Sequence, residues 1–308
     1  IDITPTVINE FGTIGALAAW LSQDYPDRFA AHETVEDASP ARPTPNTSEA
    51  DDDPIVIVGM SGRFPKARDL DQYWQNLLNG VDAISEIPAD RWDWREMETG
   101  EGIAKWGAFI DGIDQFDARH FGISRREAVQ MDPAQRLAME YVWRALENAG
   151  HAPESLAGSA TAVILGTAPS GYGDLLAKSG AAIDSYSSTG AVGSVGPNRI
   201  SYLLDLHGPS EPVETACSSA LVALHRGITA IQVGDCEQAI VGGINLILSP
   251  ETHVSFARAG MLSPDGRSKT FSRNANGYAS GEGVGMVFIR KLSAALRDGD
   301  TIYALIRG

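Results

Sequence analysis

The stretch Val213-Glu214-Thr215-Ala216-Cys217-Ser218-Ser219-Ala220-Leu221-Val222-Ala223-Leu224-His225 runs from a strand-like segment, through a turn of small residues, into a helix that is apolar almost all round. This strand-turn-helix order sets Cys217 where the helix begins. Unpaired backbone N–H groups and the positive end of the helix dipole favour a thiolate there, and the small neighbours leave room for a substrate carbonyl. Taken alone, the local residues leave two readings open: a nucleophile, or the buried structural thiol that free cysteine commonly is. Cys236, in Gly234-Asp235-Cys236 at the entrance to a strand, lacks that context and reads as structural.

Outward from this stretch, strand and helix patterns alternate. Pro54 to Gly59 is a short apolar run of β-branched residues, as expected for a strand buried on both faces. Further strands are predicted at Ala162 to Gly166, Pro212 to Thr215, Gln238 to Leu248, Val284 to Arg290 and Thr301 to Arg307. Leu70 to Leu78 reads as a helix. So does Asp132 to Ala149, with Asp132 as N-cap, Pro133 at the first helical position, a stripe of Leu137, Tyr141 and Ala145, and Gly150 as the stop. Helices are also expected near 196–204, 217–232 and 292–297. The fold class is therefore α/β, with a layered, largely parallel sheet and helices on its faces. Ser179 to Gly196 and Arg258 to Gly285, rich in Gly and Ser, read as long functional loops.

The chain has 308 residues, enough for about two domains and a sizeable core. A hydrophobic content of 43% excludes wholesale disorder and fibrous classes. No apolar run approaches the roughly 18 residues of a membrane span, and no signal peptide heads the chain, so a cytoplasmic protein is expected. Two cysteines are too few for a disulfide framework, and a net charge of -16 speaks against nucleic acid or an anionic membrane as partner. No repeat of 20 to 50 residues, on the order of a solenoid unit, is present.

The ends differ from the middle. Val7, Phe11, Ile14, Leu17, Ala18 and Leu21 fall at helical spacing, with Thr13 placed as a cap, in a segment too short to close a core. Ala31 to Asp53 carries Pro40, Pro43, Pro45 and seven carboxylates against one arginine, the composition of a disordered linker. Starting at Ile1 and stopping at Gly308, the chain reads as a piece of a longer polypeptide.

A cysteine nucleophile usually works with a histidine, and the chain has six. His225 lies on the same helix as Cys217, eight residues or about 12 Å of rise away, too far for a hydrogen bond of roughly 3 Å. His32 sits in the linker; His120, His151 and His253 fall at loop or helix-end positions where a solvated imidazole is the default; His207 reads as a turn contact. Gly59-Met60-Ser61-Gly62 lacks the third glycine of a dinucleotide loop and the Lys-Ser/Thr of a P-loop, and reads as a tight turn. Gly281-Glu282-Gly283-Val284-Gly285 precedes a strand, the wrong polarity for a pyrophosphate site. No spacing points to a metal site.

Several segments together carry a resemblance. Asp53-Pro54-Ile55-Val56-Ile57-Val58-Gly59-Met60-Ser61-Gly62-Arg63-Phe64-Pro65, Met131-Asp132-Pro133-Ala134-Gln135-Arg136-Leu137 and Glu214-Thr215-Ala216-Cys217-Ser218-Ser219 resemble the β-ketoacyl synthase (ketosynthase) domain of modular polyketide synthases. Gly242-Gly243-Ile244-Asn245, Gly260 to Arg267, and Gly277-Tyr278 with Gly281-Glu282-Gly283 continue it. The resemblance covers residues 53–308, the N-terminal half of a thiolase-like layered fold. It implies that Cys217 is the acyl-accepting residue. Asp90 to Arg95 and Leu206 to Pro212 resemble the subgroup whose acyltransferase acts in trans. Residues 1–30 resemble the tail of an acyl carrier domain, followed by the linker at 31–52. Ala134 stands where the family often has Gln, and Ala279-Ser280 where Val-Arg is common.

The resemblance implies transfer of an acyl chain from an upstream carrier to Cys217, then decarboxylative Claisen condensation with a malonyl-type extender on a downstream carrier. The substrates ride on the phosphopantetheine of partner carrier domains, and no cofactor or metal is expected on this chain. The family's two catalytic histidines belong to a C-terminal half, after residue 308. A homodimer is implied. Three alternatives stay open: a non-elongating ketosynthase that only passes acyl chains on, a cysteine hydrolase of another fold, and a scaffold module that docks carriers.

Overall fold

The computed structural model describes residues 14–26, 53–97 and 104–307, which fall in two units described separately. In the first, helix α1 (Ile14–Asp24) ends with the Tyr25 amide donating to Leu21 O and the Trp20 and Tyr25 rings edge to face at 5.8 Å. Val7, Phe11, Thr13, His32 and the linker lie outside the described residues.

The second unit begins with β1 (Ile55–Arg63), α2 (Leu70–Leu78), β2 (Ser85–Glu86) and β3 (Trp106–Ala108). Next come α3 (Arg125–Gln130), α4 (Pro133–Asn148), β4 (Thr161–Gly166), α5 (Tyr172–Lys178), α6 (Ser187–Ala191), α7 (Val195–Leu203) and β5 (Ser210–Val213). Then follow α8 (Ser219–Val233), β6 (Gln238–Asn245), α9 (Pro250–Arg258), β7 (Ser280–Gly281), β8 (Gly283–Lys291), α10 (Leu292–Asp298) and β9 (Ala304–Leu305).

The main sheet has the order β5-β4-β6-β8-β1-β9. Its strands alternate their side chains between two helical layers. Val163 and Leu165 of β4, Ile240 of β6 and Phe288 of β8 pack with Leu137, Tyr141, Val142 and Leu146 of α4. Ala162, Ile164, Ala239, Val241 and Ile289 face the other way, onto Ala223, Ala230 and Ile231 of α8. Burial on both faces explains why these strands read as continuous apolar runs. Each Val, Leu, Ile or Phe side chain among them contributes on the order of 1.5–3 kcal/mol of transfer free energy. Helix α4 starts as its sequence predicts: the Asp132 carboxylate accepts from the Ala134 amide at 2.8 Å, and Pro133 occupies the first turn.

Several expectations need correction. The α/β class stands, but within the main sheet only β5-β4-β6 pair in parallel, and β6-β8, β8-β1 and β1-β9 are antiparallel; the small second sheet β2-β3-β7 joins β3 to β7 in parallel and β2 to β3 antiparallel. The reason is topological. Between Asn245 and Gly283, themselves register partners, the chain never crosses a face of the sheet to return to the other end, so β8 runs back along β6. Gly59-Met60-Ser61-Gly62 is not a turn, because β1 continues through it with a shift of register between Ile57 and Gly59. A Cβ on Gly59 would lie 2.3 Å from the carbonyl oxygen of Ala145, so glycine there lets α4 sit close on the sheet. The strand expected over Thr301 to Arg307 shrinks to β9, and the loop expected over Ser179 to Gly196 contains α6. Helix α8 is not buried all round: Leu221 and Val233 are exposed, because its outward side has no layer over it among the described residues.

Candidate active site

The turn between β5 and α8 holds Cys217. Ala216–Ser218 form one 3₁₀ turn, and the α-helix proper begins at Ser219 rather than at the cysteine. Ala216 has φ +55°, a left-handed conformation that costs a residue with a Cβ about 1–2 kcal/mol. That reversal presents Cys217, which is exposed, at the crest of the turn.

Local hydrogen bonds hold the strained shape. The buried Ser219 hydroxyl accepts from the Thr215 amide at 2.9 Å and donates to Ala216 O at 2.7 Å. The Ser218 hydroxyl donates to Thr215 O at 2.8 Å and lies 2.9 Å from Thr215 Oγ1. Beneath the turn, Gly166 at the end of β4 and its register partner Gly243 on β6 make room for the start of α8. A Cβ on Gly166 would fall 2.8 Å from the Ala220 amide nitrogen, and one on Gly243 would fall 2.9 Å from Ala220 Cβ. Two strand ends therefore fix the helix N-terminus, and with it the sulfur.

A second loop approaches the cysteine. Tyr278 is anchored by its amide donating to Met261 O at 2.9 Å and by its carbonyl accepting from Ser263 N at 2.8 Å. Burial raises its phenol above the ordinary range, and the neighbouring charge of Cys217 adds to the rise. Glu282 braces the strand that follows. Its buried carboxylate accepts from the amides of Ile110 at 2.8 Å and Ile247 at 2.9 Å and pairs with Arg91 at 3.1 Å. Sequence reasoning used Gly281-Glu282-Gly283 only to set aside a pyrophosphate site and as part of the family resemblance, and missed this bracing role. It missed Ser219 and Ala216 as well; the run of small residues around Cys217 was the signal available.

The other residues singled out lie elsewhere. Cys236 is buried, and its thiol is pushed up to about 11, chiefly by burial, which suits the structural reading. His225 is exposed further along α8. His207 pairs with Asp205 at 3.0 Å, and the His120 ring meets those of Phe121 and Trp143. Two histidines depart from the expectation of solvated imidazoles. His151 pairs with the buried Asp300 at 2.8 Å. His253 is turned inward by α9, where its Nε2 meets Ala104 O at 2.7 Å, its ring lies 5.8 Å from Trp92, and burial lowers its pKa. Each histidine among the described residues is thus engaged or placed away from Cys217. Among the described residues no His, Cys, Asp and Glu side chains cluster in threes as a metal site would require.

Comparison with known proteins agrees with this geometry. The family profile "Beta-ketoacyl synthase, N-terminal domain" matches residues 52–295. Polyketide synthase PksN of Bacillus subtilis is 46% identical over 100% of this chain, and polyketide synthase ThaG of Burkholderia thailandensis is 42% identical over 85% of it. The chain spans only 6% and 5% of the length of those two proteins. Among solved structures, the ketosynthase from module 6 of the bacillaene synthase of Bacillus subtilis 168 superposes with a TM-score of 0.76 at 38% identity, covering 82% of this chain and 43% of that one. The oxazolomycin ketosynthase domain OzmH KS7 of Streptomyces albus gives 0.77 at 38% identity, covering 83% and 45%. With the thiolase-like α/β fold of those neighbours and a profile match over most of its length, this chain belongs to the β-ketoacyl synthase N-terminal domain family, as a ketosynthase segment of the polyketide synthase type.

Proposed function

We propose that Cys217 takes an acyl chain from a carrier-bound thioester as the first half-reaction of a polyketide-forming ketosynthase. The observation that carries this reading is the strained Ala216-Cys217 turn seated on the Gly166 and Gly243 pair at the start of α8. The thiolate sulfur adds to the thioester carbonyl, forming a C–S bond and an oxyanion. Backbone N–H groups at the start of the helix suit that developing charge. Collapse of the oxyanion breaks the bond to the carrier's thiol, which leaves as thiolate and takes up a proton. The acyl group then remains on Cys217 as a thioester.

The second half-reaction follows from the family. A malonyl-type extender loses CO2, and its carbanion attacks the acyl-cysteine to give a β-ketoacyl thioester, with histidines of the C-terminal half polarising the malonyl carbonyl. Both acyl units ride on phosphopantetheine arms of carrier domains upstream and downstream, so the classification is acyltransferase. We assign residues 1–30 to a carrier tail, 31–52 to a linker and 53–308 to the ketosynthase half. The segments Asp90 to Arg95 and Leu206 to Pro212 support an acyltransferase supplied by a separate protein. A homodimer and a cytoplasmic location complete the reading; no helix among the described residues is long and apolar enough to cross a membrane.

The full-length protein, given an acyl thioester and a malonyl-loaded carrier, is expected to form a β-keto product that Cys217→Ala abolishes. A chain ending at residue 308 is expected to form none. Product from the Cys217→Ala protein would overturn the assignment.

A further inference from the structure

Cys217 is exposed and, among the described residues, no side chain hydrogen-bonds its sulfur, so the backbone of the turn sets where the sulfur stands. One residue ties that backbone together across the cysteine. Ser219 reaches back over Cys217 three times: its hydroxyl accepts from the Thr215 amide at 2.9 Å and donates to Ala216 O at 2.7 Å, and its own amide donates to Ala216 O as well. The two residues before the cysteine are thereby bound to the second residue after it.

This use of a hydroxyl is unusual for its place. Serine at a helix start is ordinarily a capping residue, accepting from an amide of the first turn. Ser218, the N-cap of α8, makes no such bond and donates instead to Thr215 O at 2.8 Å, while the Ser219 hydroxyl goes to Ala216 O. Both hydroxyls serve the turn rather than the helix. Ser219 also links the turn to the sheet beneath it. Of residues 214–220 it alone is buried, and a Cβ on Gly166 would fall 3.0 Å from Ser219 Cβ, so Ser219 rests on the end of β4.

Resting on the reading of Cys217 as acyl acceptor, we infer that Ser219 is a positioning residue for acyl transfer: its hydroxyl holds Ala216 in the left-handed conformation and so keeps the sulfur in line with the thioester carbonyl. It acts through the backbone of the turn and not on the substrate. Without the hydroxyl, Ala216 O loses a donor, the Thr215 amide loses its acceptor, and φ +55° at Ala216 is no longer held against its strain. The turn then relaxes, leaving the sulfur exposed but off its line of attack. Exposure suffices for alkylation by a small reagent, whereas acyl transfer also requires alignment with the carbonyl and the helix amides.

The test compares two reactions of Cys217 in the full-length protein, acylation by a saturating butyryl thioester of N-acetylcysteamine and alkylation by iodoacetamide, each followed by mass spectrometry of the Cys217 peptide. Ser219→Ala is expected to slow acylation on the order of a hundredfold, the loss that a misplacement of about 1 Å can cause. Alkylation is expected to stay close to that of the unmodified protein. Should the variant fail to fold, the same two rates are compared in Ala216→Gly and Ala216→Gly/Ser219→Ala, where glycine takes the left-handed conformation without penalty; loss of the hydroxyl is again expected to slow acylation alone. Undiminished acylation in a folded variant, or a matching fall in both reactions, would overturn the positioning role alone. Failure of the thioester to label Cys217 in the unmodified protein would instead overturn the acyl-acceptor reading beneath it.

Discussion

At the scale of single residues, the account turns on how a small-residue turn is held under strain. Alanine at φ +55° is tolerated because Ser219 bonds to both sides of it. Ala216→Gly removes the penalty of a Cβ in the left-handed region, so the variant is expected to gain about 1 kcal/mol of stability. Acylation of Cys217 should slow at the same time, because the turn loses the rigidity that presents the sulfur; scanning calorimetry and acylation kinetics check the two effects. The strand-turn-helix setting of Cys217 was legible in the sequence. The strain at Ala216 was not, since alanine carries no sign of a left-handed backbone. His253 misled for a related reason: its burial depends on the carbonyl of Ala104, 149 positions away in the chain.

Among the elements, the strands and helices with strong periodicity were legible and their pairing was not. Leu70 to Leu78 and the capped start of α4 form as the residues dictate, because caps and apolar stripes are local. The direction of β8 depends on where a connection of some forty residues returns, and no local signal carries that. The close seating of α8 on β4 and β6 is likewise a contact between distant glycines. Gly166→Ala sets a Cβ 2.8 Å from the Ala220 amide. That substitution is expected to cost on the order of 1–3 kcal/mol and to slow acylation of Cys217 by displacing the helix start; denaturant unfolding and acylation rate measure it. Glu282→Gln weakens the buried pair with Arg91 and one or both amide contacts. Removing one partner's charge from such a pair costs up to about 3–5 kcal/mol, and the loss would show as a lower midpoint of unfolding.

For the molecule as a whole, stability against pH gives a check that is independent of activity. Burial raises the carboxyl of Asp132 above its ordinary range, although Ser170 and Ala134 oppose the rise. A raised carboxyl favours the folded state while protonated, and this contribution is lost as the pH climbs through its folded pKa. Asp132→Asn keeps an acceptor for the Ala134 amide and a donor for Ser170 Oγ. Relative to this variant, the unmodified protein is expected to lose stability as pH rises from 4 to 7, read as the difference in melting temperature. No such drift would contradict the burial of that carboxyl.

The most direct measurement is the mass of the cysteine-bearing peptides after brief incubation of the full-length protein with an acyl thioester. The account predicts one acyl group on the peptide containing Cys217 and none on that containing Cys236. An unlabelled Cys217, or an acyl group on Cys236 instead, would contradict it.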